Sequence, residues 1–426
     1  MITRLKELEK GSLIIFTMMM IANICNYLYQ IIMGRLLPYD EYGAFNALLS
    51  LINIASVPGT AVALVVSKYI AEYSAAGENY KIGFFLRKTF FYISVFTGVI
   101  TAASLAVSPV IRWYLKVEKL SFVVYVILAI AAAFLLPISL GTFQGSKKFW
   151  QLGIVNAVSY VFRLVLGVIF VIIGYSLEGA LGALLAGNII SVVYGFWLIK
   201  GNFTINGEKT AALGRKKALQ YGIPIFVITL CMMLLTNIDM IMIKHYFSPQ
   251  ESGIYGAAAI FGRVIFYFPS AVVMAMFPIV TEANVLNSDV YTSLKKAVLY
   301  SAVVCTAGIA VIYIFPEIIT KIFFGERFLT ALPYIKLISL AMLPLCLLNV
   351  LANFNLAVNK NTISVWTMVL GSTAEIILIS IYHQTIYQVL YILLGIGASL
   401  LVINLFNIIL RTKQDKGIQR EDVVKI

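Results

Sequence analysis

The chain is a succession of apolar runs, most of about twenty residues or more, joined by short connections that hold most of its Lys and Arg. A helix needs ~20 predominantly apolar residues to cross a bilayer, whereas a barrel strand needs about ten and alternates in polarity. These runs are too long for strands and lack a period of two, so they read as helices whose backbone polar groups are satisfied within each run. Composition agrees: with 61% hydrophobic and 12% charged residues, there is too little polar surface to cover a soluble globule of 426 residues. Twelve spans are expected, at 12–33, 44–70, 89–111, 121–143, 152–174, 178–199, 219–244, 253–281, 297–316, 331–356, 362–382 and 388–410. The N-terminal run is too long for a cleaved signal core and is expected to be retained as the first span.

One connection occurs twice. Leu36 to Asn46 joins the first two spans, and Tyr246 to Gly256 joins the seventh and eighth. An offset of 210 residues places Leu37 on Phe247, Glu41 on Glu251, Gly43 on Gly253, Phe45 on Tyr255 and Ala47 on Ala257. Similarity at the same place in each half is the mark of a duplicated membrane protein. The longest polar connection, Gly201 to Lys217, falls between spans six and seven. We therefore expect an all-α integral membrane fold of about twelve transmembrane helices, in two six-helix lobes related by pseudo-two-fold symmetry. Residues 1–210 would form the first lobe, and 211–426 the second with a short mobile cytoplasmic tail.

The net charge of +13 belongs to the connections, so it speaks to orientation rather than to nucleic acid, and no nucleic-acid partner is expected. With the N-terminus in the cytoplasm, 22 Lys and Arg fall on that side and 8 on the other. That ratio predicts a multi-pass protein of the plasma (inner) membrane with both termini cytoplasmic.

No segment carries recognisable catalytic machinery. There is no GxxxxGK[ST] loop, so the chain's own ATP hydrolysis is not expected to drive it. His245 and His383 lie near the outer surface without ligand-like spacing, and Cys25, Cys231, Cys305 and Cys346 sit inside spans without a CxxC pair. No connection much exceeds twenty residues, which leaves no room for a soluble catalytic domain. We expect neither an enzyme nor a resident cofactor or metal.

Polar residues enter the spans at helical spacing. Asn23, Asn26 and Gln30 share a face of the first span; Asn46, Ser50 and Asn53 do so in the second; Asn156, Ser159 and Arg163 in the fifth; and Gly256, Arg263, Tyr267 and Ser270 in the eighth. Two readings compete: such residues glue helices together, or they line one wet cavity. Arg163 and Arg263 sharpen the choice, since each costs ~2.5–3.5 kcal/mol at the midplane unless it meets water or a partner. They either pair with Asp239 and Glu375 as buried salt bridges or present positive charge to an anionic group, whose phosphate oxygens suit a guanidinium fork. Asp239 and Glu375 are also the candidates for ion coupling.

Taken together, the twelve spans, the connections Pro38 to Phe45 and Pro249 to Tyr255, Asp239 before the second of them, and Phe143-Gln144-Gly145 closing the fourth span resemble the polysaccharide-biosynthesis (O-antigen-type) flippases of the multidrug/oligosaccharidyl-lipid/polysaccharide exporter superfamily. The resemblance implies two lobes around a central cavity that alternate between inward-open and outward-open states. It implies as substrate a polyprenyl-diphosphate-linked oligosaccharide, carried from the cytoplasmic to the outer leaflet for cell-surface polysaccharide. It also implies membrane lipids, a coupling cation and other polysaccharide-assembly proteins as partners, and a cationic cavity that Arg163 and Arg263 could supply. Asn23, Asn26, Asn53, Asn156 and Tyr267 are the further candidates for its lining. Lipid II flippases of the superfamily usually carry extra basic residues in the first two spans, where this chain has Asn23, Asn26 and Asn53. The alternatives are a cation-coupled multidrug exporter, which favours an acidic cavity, and a membrane-embedded glycosyltransferase or polymerase, which needs carboxylates clustered on an external loop.

Overall fold

The computed structural model describes residues 2–203, 215–285, 289–358 and 361–424. Much of the connection between spans six and seven, at 204–214, and Lys360 lie outside the described residues. Sixteen α-helices follow one another among the described residues. They are α1 (Ile2–Leu36), α2 (Tyr39–Ala55), α3 (Val57–Ala75), α4 (Asn79–Leu115), α5 (Leu120–Gly145), α6 (Phe149–Phe170), α7 (Ser176–Ile199) and α8 (Arg215–Leu235). Then come α9 (Ile238–Tyr246), α10 (Pro249–Tyr267), α11 (Ser270–Val285), α12 (Val290–Ile314), α13 (Pro316–Phe324), α14 (Leu332–Ala357), α15 (Thr362–Ile381) and α16 (Ile386–Val424).

Three expected spans are broken rather than continuous. The second divides into α2 and α3 around Ser56, the seventh into α8 and α9 at Thr236-Asn237, and the eighth into α10 and α11 at Phe268-Pro269. Pro58 explains the first break and Pro269 the third, because a proline has no N–H to continue the ladder and crowds the preceding turn. The break before Asp239 has no proline; there Thr236 and Asn237 turn their side chains back onto the carbonyls of Met232 and Met233, a local alternative to the helix ladder. With each broken pair counted as one rod and α13 left out as too short to cross a bilayer, the described helices make twelve rods, in keeping with the twelve expected spans.

Two expected loops are also helical. The segment between the ninth and tenth spans, expected outside, folds as α13 and a further turn, Glu326–Ala331. It buries Thr320 and Phe324 on one side while Ile318 and Ile322 stay exposed on another. The tail, expected to be mobile, continues α16 to Val424.

The chain divides into two compact units. The first comprises Met1–Gly222 with Ser248–Gly253; the second comprises Ile223–Phe247 with Ile254–Ile426. Inside the first unit α5 presses against α3. Gly141 and Gly145, one turn apart, leave no room for a Cβ, which would stand 2.6 Å from the Ala63 carbonyl oxygen and 2.5 Å from that of Ser67. Small residues at this spacing let two backbones approach where no hydrophobic drive exists between helices in lipid. Beside that contact, Val66, Ile70, Phe85 and Ile138 form an apolar core shared by α3, α4 and α5. The second unit has its own core, where Val273, Met276, Leu294, Val350, Phe354 and Ile408 join α11, α12, α14 and α16.

The duplicated glutamates have diverged. Glu41 accepts the Ser176 hydroxyl and, at 3.0 Å, the Leu177 N–H, which caps the start of α7 from another helix. That cap holds an awkward turn, with Gly174 at φ 107° and Ser176 at φ 43°. Glu251 only closes its own turn, on the exposed Ser248 N–H and hydroxyl at 3.0 and 2.7 Å. Glu41→Ala is therefore expected to lower stability by ~1.5–3 kcal/mol, the range for hydrogen bonds to a charged group, and Glu251→Ala by well under that. Thermal unfolding of the two variants in detergent micelles checks the difference; equal midpoints would refute it.

Candidate functional site

The first unit builds a site around Arg163. Its terminal amine donates to Asn26 Oδ1 at 2.7 Å, joining α6 to α1 across 137 residues. Its guanidinium carbon lies 5.2 Å from the Tyr29 ring centre and 4.9 Å from that of Tyr160, so the cation stands against two aromatic rings. Tyr29 is fully buried and fixed by its hydroxyl, which donates to the Ala180 carbonyl at 2.7 Å. Gly167, one turn beyond Arg163, makes the space, since a Cβ there would meet the Tyr29 ring at 2.5 Å. The arginine is half-buried, and its Nε has no hydrogen-bond partner.

The partner of Arg163 is thus an amide and a pair of rings rather than a carboxylate. An amide oxygen neutralises no charge. The guanidinium keeps its positive charge; its unpartnered Nε is itself buried, so an oxyanion meets the half-buried fork at its terminal nitrogens.

Not every member of the polar stripes behaves this way. Ser159, one turn before Arg163, donates to Asn188 Oδ1 at 2.9 Å, and Asn188 reaches the Ala129 carbonyl, which glues α6, α7 and α5. Asn46 and Ser50 donate to carbonyls one turn back in their own helix. Asn23 and Asn53 are exposed on α1 and α2, and Asn156 is half-buried on α6. Of the candidates in the first unit, Asn26 is tied directly to the arginine.

The second unit builds a different site. Arg263 is 6% exposed, Asp239 1%, and Tyr255 and Glu375 0%. Tyr255 donates its hydroxyl to Asp239 Oδ2, while Asp239 Oδ1 and both oxygens of Glu375 lack hydrogen-bond partners. Arg263 lies within electrostatic reach of Asp239 and Tyr255, and Asp239 within reach of Glu375. Three helices meet at this point: α9 supplies Asp239, α10 supplies Tyr255 and Arg263, and α15 supplies Glu375. The break at Asn237 puts Asp239 in the first turn of α9, where a helix favours a carboxylate. Tyr267, expected beside Arg263, is 40% exposed, and its hydroxyl lies 3.9 Å from Met233 Sδ. Two carboxyl groups, one guanidinium and unsatisfied carboxyl oxygens make a buried polar cluster whose acceptors suit a proton or a small cation.

Comparison with known proteins decides the family. The model of the family described as polysaccharide biosynthesis protein matches residues 8–284, more than half of the chain. The chain belongs to this polysaccharide biosynthesis family. The resemblance read from the two connections, Asp239 and the Phe143-Gln144-Gly145 corner holds. This family member is 24% identical over 316 residues to an uncharacterized membrane protein of Methanocaldococcus jannaschii, covering 70% of this chain and 72% of that one.

Among solved structures, the family member is similar to a multidrug resistance MATE family transporter of the MOP superfamily in an inward-facing conformation. The TM-score is 0.78 at 14% identity, over 93% of this chain and 96% of that one. It is similar to the lipid II flippase MurJ in an inward closed conformation, with a TM-score of 0.73 at 14% identity over 93% and 87%. It is also similar to the eukaryotic MATE transporter AtDTX14, at 0.68 and 14% over 98% and 99%. At such identities these likenesses show the fold: an all-α membrane protein of two six-helix lobes. With the family, they support a membrane flippase or exporter.

Sequence reasoning missed three contributors. Tyr29 and Tyr160 are aromatics within apolar spans and carry no pattern of their own, although Tyr160 adjoins the Asn156-Ser159-Arg163 stripe. Tyr255 was read as part of the repeated connection rather than as a partner of Asp239. A buried chain of bonds in the second unit was also unseen: Asn355 donates to Ser364 and Ser364 to Asn404, each at 2.7 Å, which links α14, α15 and α16.

Proposed function

We propose that the protein carries a polyprenyl-diphosphate-linked oligosaccharide from the cytoplasmic to the outer leaflet of the cell membrane by alternating access, with both termini cytoplasmic. The observation that carries this reading is the half-buried Arg163 guanidinium, bracketed by Tyr29 and Tyr160, held by Asn26 and left with an unpartnered Nε. A diphosphate and its sugar cannot enter hydrocarbon unaided, because every charge and hydroxyl would lose its water. A cationic, aromatic-lined station inside the membrane replaces that water: the fork takes phosphate oxygens, the half-buried Tyr160 ring offers a face to the sugar, and the fully buried Tyr29 holds the guanidinium in place. Asn23, Asn53 and Asn156 extend the same polar lining, and the prenyl tail stays in the bilayer.

Energy comes from the second site. Asp239 and Glu375 bind the coupling cation, sodium or proton, and the membrane potential supplies ~2.3 kcal/mol per charge per 100 mV. Family membership and the flippase and exporter neighbours support transport rather than catalysis.

Proteoliposomes containing the purified protein test the substrate. A prenyl diphosphate with a short fluorescent oligosaccharide is expected to pass between leaflets when an ion gradient is imposed, as read by loss of fluorescence to an external membrane-impermeant quencher. A lipophilic cationic dye is expected to gain no gradient-driven movement. Movement of the dye alone would reject the reading in favour of a multidrug exporter.

A further inference from the structure

The four cysteines carry no pattern in the sequence, yet two of them meet. Cys305 on α12 and Cys346 on α14 stand with their sulfurs 3.0 Å apart, about 1 Å beyond a covalent S–S bond of ~2.05 Å. Both are almost fully buried, at 0% and 1% exposure. The Cys305 thiol is also 3.5 Å from the Ile265 carbonyl on α10, two residues past Arg263. Neither sulfur belongs to the substrate or cation sites described above. No group of three or more metal-ligating side chains occurs among the described residues, so nothing there completes a metal site around the pair.

We propose that Cys305 and Cys346 are an intramembrane redox site, a dithiol that closes to a disulfide and staples α12 to α14. Oxidation breaks two S–H bonds and forms one S–S bond; the two electrons and two protons pass to a lipid-soluble oxidant of the quinone class, which leaves as the quinol. The pair's burial excludes polar oxidants and selects small apolar ones. Closure acts at a sensitive point, because Pro344, two residues before Cys346, already leaves a backbone carbonyl of α14 without its helical N–H. The staple would therefore hold α14 against its neighbour next to the place where it bends most easily. It would also remove the Cys305 S–H from the Ile265 carbonyl, so α10 feels the change.

Iodine is the probe, since it is small and apolar and takes the same two electrons to become two iodide ions. The intact protein in lipid vesicles is treated with iodine, denatured, and its free thiols are counted by mobility shift with a polymer-tagged maleimide. The chain has four cysteines; all four are expected to react before treatment and the Cys305 and Cys346 pair to become unreactive after it, with recovery on adding dithiothreitol. Peptide mapping is expected to show the bond joining Cys305 to Cys346, and Cys305→Ser to leave Cys346 reactive throughout. Continued reactivity of both thiols in the treated wild type would overturn the proposal. So would a bond formed only between molecules, or thiol loss that dithiothreitol does not reverse.

Discussion

Arg163→Ala is expected to leave the protein folded in the membrane and to slow transfer of a diphosphate-linked oligosaccharide by roughly tenfold to a hundredfold. That range follows from losing one charge-assisted contact worth ~1.5–3 kcal/mol, at 1.4 kcal/mol per factor of ten. The two halves of the expectation have one source. A guanidinium inside a bilayer costs ~2.5–3.5 kcal/mol of insertion energy, and the bond to Asn26 with the faces of Tyr29 and Tyr160 returns about as much. Deleting the side chain removes cost and gain together, so the folded state is expected to change little.

Arg163→Lys separates charge from shape. Lysine keeps the positive charge but presents a point rather than a fork, and its strongly hydrated ammonium stacks less well on the two rings. Transfer in this variant is expected to lie between wild type and alanine. In a strain that makes surface polysaccharide, the alanine variant is expected to accumulate lipid-linked repeat units on the cytoplasmic side at normal expression. Normal export with Arg163→Ala would reject the substrate role, and a protein that no longer accumulates would show that the arginine braces α6 against α1.

Which features were legible before the structure depended on distance along the chain. Helix periodicity and span length are local, so the spanning rods and the shared face of Asn156, Ser159 and Arg163 could be read directly. The junction of Arg163 with Asn26 spans 137 residues, and that of Glu41 with Ser176 spans 135. No single sequence specifies such pairs, because which faces meet is set by the packing of whole helices. The breaks at Ser56 and Phe268 were half legible: Pro58 and Pro269 announced a bend but not that the helix would end. Thr236 and Asn237 gave a fainter sign, as polar residues able to bond their own backbone inside an otherwise apolar run. The Cys305 and Cys346 pair left no local trace, since a cysteine in a span is usually only a small apolar residue.

Glu375→Gln is expected to do something that a purely structural carboxylate would not: leave thermal stability unchanged or raised while abolishing the dependence of transport on an ion gradient. Glu375 is fully buried with both oxygens unpartnered, and Asp239 nearby adds like charge. An isolated buried carboxylate costs several kcal/mol, so the site demands a proton or a metal cation, and a neutral amide of the same shape removes that demand. Asp239→Asn should also lose gradient dependence, since Asp239 shares the cation site, but with a loss of stability that Glu375→Gln does not show. It strips a charge within electrostatic reach of the almost fully buried Arg263, which destabilises the folded state. The two variants therefore separate coupling from bracing on one pair of measurements, the unfolding midpoint and transport with and without an imposed sodium or proton gradient. If Glu375→Gln unfolds early and still follows the gradient, the carboxylate is part of the scaffold and the coupling ion binds elsewhere.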